Sequence, residues 1–557
     1  MINQNSRATP SEEDDSDGDE EDEYSSEGEL SFQASMRDMH LRLLAHHPEL
    51  DELNEVRATP IFTEAVRNYA LALAGHAAEK PFSQYGLLAG DISGAIQDGA
   101  ADNRIFWNIT APSSFFICGS QGSGKSHTLS CLLENTLARC PANILPNPLT
   151  GIVFHYDTFT SDTGGSPCEV AWLASNRNIK VRVLCPPTNI RTMKKLYRRF
   201  PTVTVEELRL NESDLNTKRM LDLMAVTSGG MPLYLHVVNR ILRELRVEQQ
   251  RTDASFSYTA FKRMLADENL TEMQLSPLRQ RLETLESFMV KDQAKAFDMF
   301  SRNYPNNNKP PPKRPVTTRQ GTDWTPRSGQ LTIVDLSCPC VTAEMACSLF
   351  NISLSLFLEQ SPASVGRIIA LDEAHKYMND SPECQTLTEA LLSTIRLQRH
   401  LGARVVISTQ EPTISPKLLD LCSVTVVHRF TSPDWLSALR KHLAGVSAGS
   451  KMLERAEGAA KRAARVVGEE EGADGVWDGA GAMVLGEGDP GMELFARIVA
   501  LKVGEALMFA PSAVVGVERR AGESSKLGTV KRLAHGVMKV RMRHRTTADG
   551  GRSIMAA

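Results

Sequence analysis

Eight consecutive residues of this chain have the types and the spacing of a phosphate-binding loop, G-x-x-x-x-G-K-S. Glycines in such a loop let several backbone N–H groups converge on one point, where they bind phosphate oxygens. Lys125 would reach the β- and γ-phosphates, and the hydroxyl of Ser126 would bind Mg²⁺. We therefore predict a site for ATP and Mg²⁺ formed by Gly119, Ser120, Gln121, Gly122, Ser123, Gly124, Lys125, Ser126 and His127.

Two carboxylates provide the second part of the predicted site. Asp372 and Glu373 follow the apolar run 368–371, which predicts a buried strand that ends beside the phosphate-binding loop. We expect Asp372 to hold Mg²⁺ together with Ser126, and Glu373 to orient and deprotonate the attacking water. Gln410, at the end of the next predicted strand, would sense the γ-phosphate.

Three arginines are candidates for stabilising the charge that develops during phosphoryl transfer. Arg396 and Arg399 lie on the predicted helix before the strand of Gln410, and Arg429 follows the strand after it. The alternative for each of them is an ordinary surface or salt-bridge arginine. The sequence leaves this choice open.

The elements around these residues alternate between strands and helices. An apolar run, 115–118, precedes the phosphate-binding loop, and residues 127–137 after the loop have helical spacing. Further strands are predicted at 151–157, 180–184, 331–336, 368–373, 404–410 and 424–428. This alternation predicts an α/β fold with a mainly parallel sheet.

Shifts in composition divide the chain into segments. In chain order they are a disordered acidic tail (1–30), a helical N-terminal region (31–100), the phosphate-binding half of the core (101–186), a helical insert with a Pro-rich loop (187–328), the second half of the core (329–445), a helix with a Gly/acidic linker (446–490), and a small β-containing region with a basic tail (491–557).

Charge, cysteines and hydropathy limit the class of protein. The net charge is −5, but residues 1–29 hold twelve acids and one base, so the remainder is mildly basic. The ten cysteines form no paired C-x-x-C framework, which predicts free thiols in a reducing compartment. With no apolar stretch of about 18 residues and no signal peptide, we expect an intracellular protein, cytoplasmic or nuclear, without membrane insertion.

Four stretches resemble the HerA/FtsK superfamily of ring-forming P-loop motors. Residues 396–402 and 409–412 resemble the R-x-x-R-x-x-G and T-Q-x-P stretches of that superfamily, and 426–430 is similar to its following strand. Residues 504–507 are similar to the G-E-A-L near the carboxyl end of HerA-like ATPases. The resemblance implies a RecA-like ATPase core with an additional strand, an arginine finger supplied in trans, a homo-hexamer, and translocation of DNA or another polymer through a central pore.

Together these features predict Mg²⁺-dependent binding and hydrolysis of ATP, coupled to movement of a polymer. An ATP-binding switch or scaffold with weak hydrolysis is the alternative, and the acidic tail and long insert suit it equally well. Residues 372–375 also spell D-E-A-H, as in DEAH-box RNA helicases, but no second RecA-like domain follows residue 445. His375 is then expected to begin a helix.

The basic residues near the carboxyl end have two interpretations. They form either a face that binds nucleic acid through phosphate contacts or a solvated edge strand whose charges oppose aggregation. These residues are Lys526, Lys531, Arg532, Lys539, Arg541, Arg543 and Arg545.

Overall fold

The computed structural model of this chain describes residues 35–44, 48–75, 80–93, 102–159, 165–223, 233–294, 321–360, 365–442, 490–518 and 528–550. The predicted acidic tail, the Pro-rich loop at 304–320, the linker at 446–489 and Lys526 lie outside the described residues. Residues 1–55 and 56–557 form two compact units. The sheet and every residue of the predicted site belong to the second unit.

Sixteen strands of the described residues form one sheet. In chain order they are β1 (Ile61–Thr63), β2 (Tyr85–Asp91), β3 (Arg104–Asn108), β4 (Ser114–Cys118), β5 (Asn143–Ile144), β6 (Thr150–His155), β7 (Lys180–Cys185), β8 (Thr204–Glu207), β9 (Gln330–Asp335), β10 (Arg367–Leu371), β11 (Ala403–Thr409), β12 (Val424–Val427), β13 (Glu505–Phe509), β14 (Val514–Glu518), β15 (Thr529–Arg532) and β16 (Met538–Met542).

The helices are distributed along the whole described chain. They are α1 (35–43), α2 (Pro48–Ala58), α3 (Glu64–Ala74), α4 (Lys125–Leu137), α5 (Ile190–Leu196), α6 (Thr217–Leu223), α7 (Leu233–Thr252), α8 (Tyr258–Ala266), α9 (Glu272–Phe288), α10 (Lys291–Ala294), α11 (Ala343–Glu359), α12 (Pro382–Arg396), α13 (Gln398–Leu401), α14 (Pro416–Leu421), α15 (Pro433–His442) and α16 (Pro490–Val499). Short 3₁₀ helices cover Glu169–Ser175, Pro187–Asn189, Tyr197–Arg199, Glu212–Asp214, Ala374–Lys376 and Pro412–Ile414.

A run of parallel strands carries the predicted site. Their order is β12-β4-β11-β10-β6-β9-β7-β8, and every neighbouring pair is parallel. Strand β11 therefore separates β4, which precedes the phosphate-binding loop, from β10, which precedes Asp372. This order confirms the prediction of a RecA-like α/β core with an additional strand, and it brings the carboxyl ends of β4, β11 and β10 to one edge of the sheet.

Helices cover both faces of these parallel strands. Phe116 and Cys118 of β4 belong to the apolar cluster that includes α11 and α12, whereas Phe115 and Ile117 belong to the cluster that includes α4. Strands β4, β6, β10 and β11 are consequently buried at every residue. Burial on both faces explains why these strands read as nearly continuous apolar runs instead of alternating patterns.

The other strands continue the same sheet beyond β12. The order is β13-β16-β2-β3-β1-β14-β15, with β1 and β14 parallel and the other pairs antiparallel. The region 31–100, predicted as helical, thus also contributes β1 and β2, and the C-terminal strands belong to the main sheet. Glycines at 86 and 90 interrupt β2 and weaken its sequence signal.

Strand β16 has the alternation that its sequence predicts. Met538, Val540 and Met542 are buried, whereas Lys539 and Arg541 form ion pairs with Glu505 at 3.3 and 2.9 Å. Because β16 lies between β13 and β2, the edge-strand interpretation is wrong for Lys539 and Arg541. Strand β15, which carries Lys531 and Arg532, is the last strand in the order at that end of the sheet.

The predicted helical insert contains α5 to α10 and the short strand β8, which pairs with β7. It packs on the core through α6 and α11: Arg219 Nη2 donates to Ser355 Oγ at 2.7 Å, and Asn351 Nδ2 donates to Asp222 Oδ2 at 2.8 Å. Among the described helices, none has the length and apolar character needed to cross a membrane.

A buried ion pair joins the C-terminal segment to α4. Arg543 Nη1 lies 2.9 Å from Glu134 Oε2, and Arg543 Nη2 donates to the carbonyl of Cys131 at 3.0 Å. The other oxygen of Glu134 accepts the N–H of Thr547 at 2.9 Å. Burial alone would raise the pKa of Glu134, but hydrogen bonds from Thr547 and Thr546 and the charge of Arg543 lower it. This ion pair therefore links the helix after the phosphate-binding loop to β16.

We expect Glu134→Ala to lower the free energy of unfolding by about 3–5 kcal/mol, because it leaves the guanidinium of Arg543 buried without its counter-charge. Chemical denaturation of the full chain at neutral pH measures the change. The control is Glu389→Ala, which removes an exposed ion pair with Lys417 at 3.2 Å and should leave stability nearly unchanged. Equal effects of the two variants would speak against a structural role for the buried pair.

Candidate nucleotide-binding site

The phosphate-binding loop connects β4 to α4, and its backbone has the shape that its glycines predict. The φ angles of Gly119, Gly122 and Gly124 are 152°, 73° and 115°, in the range that favours glycine. Helix α4 begins at Lys125, directly after the last of these glycines. The first N–H groups of α4 and the positive end of its dipole therefore lie at the loop, where they can bind an anion.

Two residues after β12 hold the loop in place. Ser120 donates both its N–H and its hydroxyl to the carbonyl of Arg429, each at 2.8 Å. A Cβ atom on Gly119 would lie 2.7 Å from the Cβ of His428, so only glycine fits there. The Ser123 hydroxyl donates to the carbonyl of Ser120 at 2.7 Å and closes the turn.

His428 is fully buried and joins three elements at the back of the loop. Its Nδ1 lies 3.0 Å from the carbonyl of Glu505, and its Nε2 lies 2.9 Å from the hydroxyl of Thr128 on α4. Because a carbonyl only accepts, Nδ1 donates and Nε2 accepts, so the neutral ring satisfies both partners. Burial lowers the pKa of His428 to about 4.

This depressed pKa predicts a dependence of stability on pH. Between pH 6.5 and about pH 4, His428 is protonated in the unfolded state but neutral in the folded state. Its contribution to the free energy of unfolding is therefore complete above pH 6.5 and is lost as the pH falls toward 4. The slope should approach about 1.4 kcal/mol per pH unit. Denaturation of wild type and His428→Asn across this window measures it, and the difference isolates His428 from other titrating groups. A slope that is the same in both proteins would contradict the assignment.

Lys125 places its ammonium group inside the loop. Its side chain is only 4% exposed, and Nζ donates to the carbonyl of Ser120 at 3.0 Å. Burial lowers the pKa of Lys125, and the carboxylates of Glu373 and Asp372 partly offset this effect. Lys125 therefore interacts electrostatically with both acids of the predicted site.

Asp372 lies directly after β10 and is only 3% exposed. Its Oδ2 accepts a hydrogen bond from Nδ1 of His155 at 3.1 Å, whereas Oδ1 has no hydrogen-bond partner in the part of the chain that the structure describes. Burial alone would raise the pKa of Asp372, but the hydrogen bond from His155 lowers it. An unpartnered carboxylate oxygen suits a hard cation, so Asp372 fits the predicted Mg²⁺.

Ser126, the other predicted Mg²⁺ ligand, is half-buried at the start of α4. Its hydroxyl lies beside the carboxylate of Glu169, which is also 3.3 Å from Nη1 of Arg545. Burial raises the pKa of Glu169. His127, the last residue predicted to contact the nucleotide, is 2.8 Å from the carbonyl of Arg543 through Nε2, so the C-terminal segment contacts this end of the loop.

Glu373 and Gln410 meet at the ends of their neighbouring strands. Gln410 Nε2 donates to Oε2 of Glu373 at 3.1 Å, and the N–H of Gln410 donates to Nδ1 of His375 at 3.4 Å. Glu373 has a φ of 50°, an uncommon value for a residue other than glycine. His375, which lies in the short 3₁₀ helix after Glu373, links the two residues and does more than begin a helix. The catalytic roles of Glu373 and Gln410 stay predictions.

A cavity of about 500 Å³ opens beside the loop. Two larger cavities, of about 1110 and 1070 Å³, lie elsewhere and contain none of the predicted site residues. Convergent polar groups define the candidate site better than size does. The smaller cavity is lined by Gln121, Gly122, Gly124, Lys125, Ser126, His127, Glu169, Glu373, Val503, Gly504, Arg541, Met542, His544 and Asp549.

Several of these lining residues carry no strong sequence signal. Glu169 follows no motif, Val503 precedes β13, and the lining residues from 541 to 549 come from β16 and the segment after it. Gly504 is the exception, because it begins the G-E-A-L stretch noted above. Its backbone N lies 3.3 Å from the position of a Cβ on Gly124, so the C-terminal part of the chain directly contacts the phosphate-binding loop.

The three candidate arginines do not line this cavity. Arg396 ends α12 and Arg399 lies on α13, and both are exposed. Because α12 starts beyond the carboxyl end of β10 and leads to the start of β11, these arginines lie at the opposite edge of the sheet from the loop. Arg429 contacts the loop through its carbonyl, while its side chain is exposed. A role for Arg396, Arg399 or Arg429 in catalysis stays a prediction.

The strand order and the loop define an α/β protein with a RecA-like P-loop core. No protein-family model and no curated protein matches the chain. Among solved structures it is similar to VirB4 of Thermoanaerobacter pseudethanolicus, with 11% sequence identity and a TM-score of 0.37 over 83% of this chain and 96% of that one. The strand order, and not this similarity, defines the fold.

Proposed function

We propose that this protein is a Mg²⁺-dependent ATPase that acts as a HerA/FtsK-like motor on DNA or another polymer. One observation carries the proposal. The phosphate-binding loop opens on a cavity that Glu373 also lines, and Gln410, from the strand between them, donates a hydrogen bond to Glu373. This arrangement supports the proposal that a phosphate site, a general base and a γ-phosphate sensor act together.

The residues of the loop would bind the phosphates of ATP. The N–H groups of the loop and of the first turn of α4 would contact phosphate oxygens. Lys125 would exchange its hydrogen bond with the Ser120 carbonyl for bonds to the β- and γ-phosphates. Bound Mg²⁺ would neutralise phosphate charge, with Ser126 and Asp372 as its protein ligands.

Glu373 would act on the water that attacks the γ-phosphate. Its carboxylate faces the cavity and would take the proton that this water releases. The hydrogen bond from Gln410 holds the carboxylate in place and connects it to the end of β11. If loss of the γ-phosphate shifts Gln410, strand β11 and the strands paired with it would therefore shift as well.

A ring of subunits would supply the catalytic arginine, because Arg541 in the described lining of the cavity is already paired with Glu505. Arg396 and Arg399 are exposed at the far edge of the sheet, and in a ring they would contact a neighbouring subunit instead of their own nucleotide. Electron microscopy with a non-hydrolysable ATP analogue tests this part, and we expect a sixfold ring. A monomer under the same conditions would contradict it.

Steady-state turnover of ATP with and without double-stranded DNA or single-stranded nucleic acid tests the motor. We expect turnover that requires Mg²⁺ and rises when the polymer is added. Lys125→Ala protein, purified in the same way, controls for contaminating ATPases. A slow rate that no polymer changes would instead favour the ATP-binding switch or scaffold.

A further inference from the structure

Three side chains that are distant in sequence form a buried cluster behind Asp372. His155 ends β6, Cys168 precedes the 3₁₀ helix at Glu169–Ser175, and Asp372 follows β10. Their exposed fractions are 6%, 0% and 3%. One ligand atom from each lies within 4.8 Å of the others. We propose that these three residues form a binding site for a divalent transition-metal ion of the Zn²⁺ class.

The distances within this His155–Cys168–Asp372 cluster suit a tetrahedral ion. Asp372 Oδ2 is 3.1 Å from His155 Nδ1 and 3.5 Å from Cys168 Sγ. Zn²⁺ takes nitrogen and oxygen ligands at about 2.0–2.2 Å and sulfur at about 2.3 Å, which sets ligand-to-ligand separations of about 3.3–3.6 Å in a tetrahedron. The ion would bring the three atoms to these separations from positions that already lie within 4.8 Å of one another.

Two polar atoms of the cluster are left outside the set of ligand atoms Nδ1, Sγ and Oδ2. Nε2 of His155 and Oδ1 of Asp372 have no hydrogen-bond partner among the described residues, although both side chains are more than nine-tenths buried. Oδ1 of Asp372 is thus free of protein partners for the predicted Mg²⁺, and Nε2 of His155 would carry the ring proton once Nδ1 binds the ion.

Further hydrogen bonds hold the cysteine in position. The N–H of Cys168 donates to the hydroxyl of Tyr197 at 3.0 Å, and this hydroxyl donates to Oδ2 of buried Asp335 at 2.6 Å. Outer hydrogen bonds of this kind orient the ligands of protein metal sites. The cysteine is thus anchored through its backbone, while its sulfur faces His155 and Asp372.

The donor types select the class of ion. Thiolate and imidazole favour Zn²⁺ and similar ions, whereas Mg²⁺ prefers oxygen ligands and retains water. The ion would displace the thiol proton of Cys168, which is released to water, and the proton that Nδ1 of His155 donates to Asp372 would move to Nε2 of the same ring. Oδ1 of Asp372 remains for the nucleotide-associated Mg²⁺. The two metals would then share one carboxylate, although binding of the transition metal does not depend on ATP hydrolysis.

Metal analysis of the full-length protein tests the site. The protein is stripped with a chelator, reloaded with equimolar Zn²⁺ and desalted, and retained metal is measured by mass spectrometry. We expect about one Zn²⁺ per chain in wild type. Cys168→Ser and His155→Gln should each weaken binding at least about tenfold. Cys185→Ser, a change of the buried cysteine that ends β7, is the matched control and should retain the metal.

A second readout identifies the ligand directly. Wild-type protein loaded with Co²⁺ should show a thiolate-to-metal charge-transfer band, and Cys168→Ser should lose it. If circular dichroism shows that either ligand variant is unfolded, Tyr197→Phe is tested in its place. This change removes the hydroxyl that holds Cys168 and should still lower the affinity for Zn²⁺ about tenfold. Wild type that retains no Zn²⁺, or a Cys168→Ser protein that keeps the Co²⁺ band, would overturn the proposal and leave the cluster as a hydrogen-bonded support for Asp372.

Discussion

Lys125→Ala is expected to lower the affinity for ATP by about 100-fold or more, and with it to abolish turnover. The ammonium group is the positive side chain inside the described loop, and it would form charge-assisted hydrogen bonds with two phosphates. Each such bond is worth about 1.5–3 kcal/mol, so the loss of both accounts for this factor. Isothermal titration with a non-hydrolysable ATP analogue and Mg²⁺ measures it.

The matched control is Lys180→Ala. Lys180 is exposed and begins β7, at the opposite edge of the sheet from the loop. This substitution removes one lysine that does not line the cavity, so the affinity for ATP should stay at the wild-type value. Wild-type affinity in Lys125→Ala itself would show that nucleotide, if it binds, does not use this loop.

Glu373→Gln is expected to keep ATP binding but to lower turnover by about 10²–10⁴-fold, the usual contribution of a general base. Glutamine preserves the shape of the side chain and offers an oxygen to the Nε2 donor of Gln410, which now lies 3.1 Å from Glu373 Oε2. An amide cannot accept the proton of the attacking water. Single-turnover hydrolysis and analogue binding, measured on the same preparation, separate the two effects.

Glu411→Gln provides the control for this substitution. Glu411 is exposed, follows Gln410 and does not line the cavity, so the variant should hydrolyse ATP at the wild-type rate. If Glu373→Gln also turned over at that rate, another group would have to serve as the base. If it lost ATP binding as well, Glu373 would be needed to form the site and not to carry out the reaction.

Local patterns in the sequence were sufficient to predict the core of the site. The loop and its flanking strand and helix are contiguous, and Asp372, Glu373 and Gln410 each follow a buried apolar strand. Carboxyl ends of neighbouring parallel strands meet at one edge, so strand assignment alone brings these residues together. The additional strand followed from the resemblance of residues 396–412 to the HerA/FtsK superfamily.

Contacts between distant segments could not be predicted in this way. His428 supports the loop from β12, and Arg543 joins α4 from the C-terminal segment. Cys168 approaches Asp372 although 204 positions separate them. No short spacing marks such a cluster, because its three residues are far apart in the chain and Cys168 belongs to no C-x-x-C motif. Strand β2 was missed because its glycines hide the alternation of a strand.

The basic residues near the carboxyl end show how tertiary contacts change the interpretation of a charge cluster. Arg543 is buried against Glu134, Arg545 pairs with Glu169, and Lys539 and Arg541 pair with Glu505. The first two of these arginines are therefore part of the fold around the phosphate-binding loop. Any contact of this region with nucleic acid would have to come mainly from those basic side chains that are exposed.

The most direct test of the account is an experimental structure of the protein with Mg²⁺ and a non-hydrolysable ATP analogue. We expect the triphosphate to lie along residues 119–126, with its terminal phosphate facing Glu373 and the metal between Ser126 and Asp372. A nucleotide bound in another cavity, or a metal out of reach of Asp372, would contradict the proposed site.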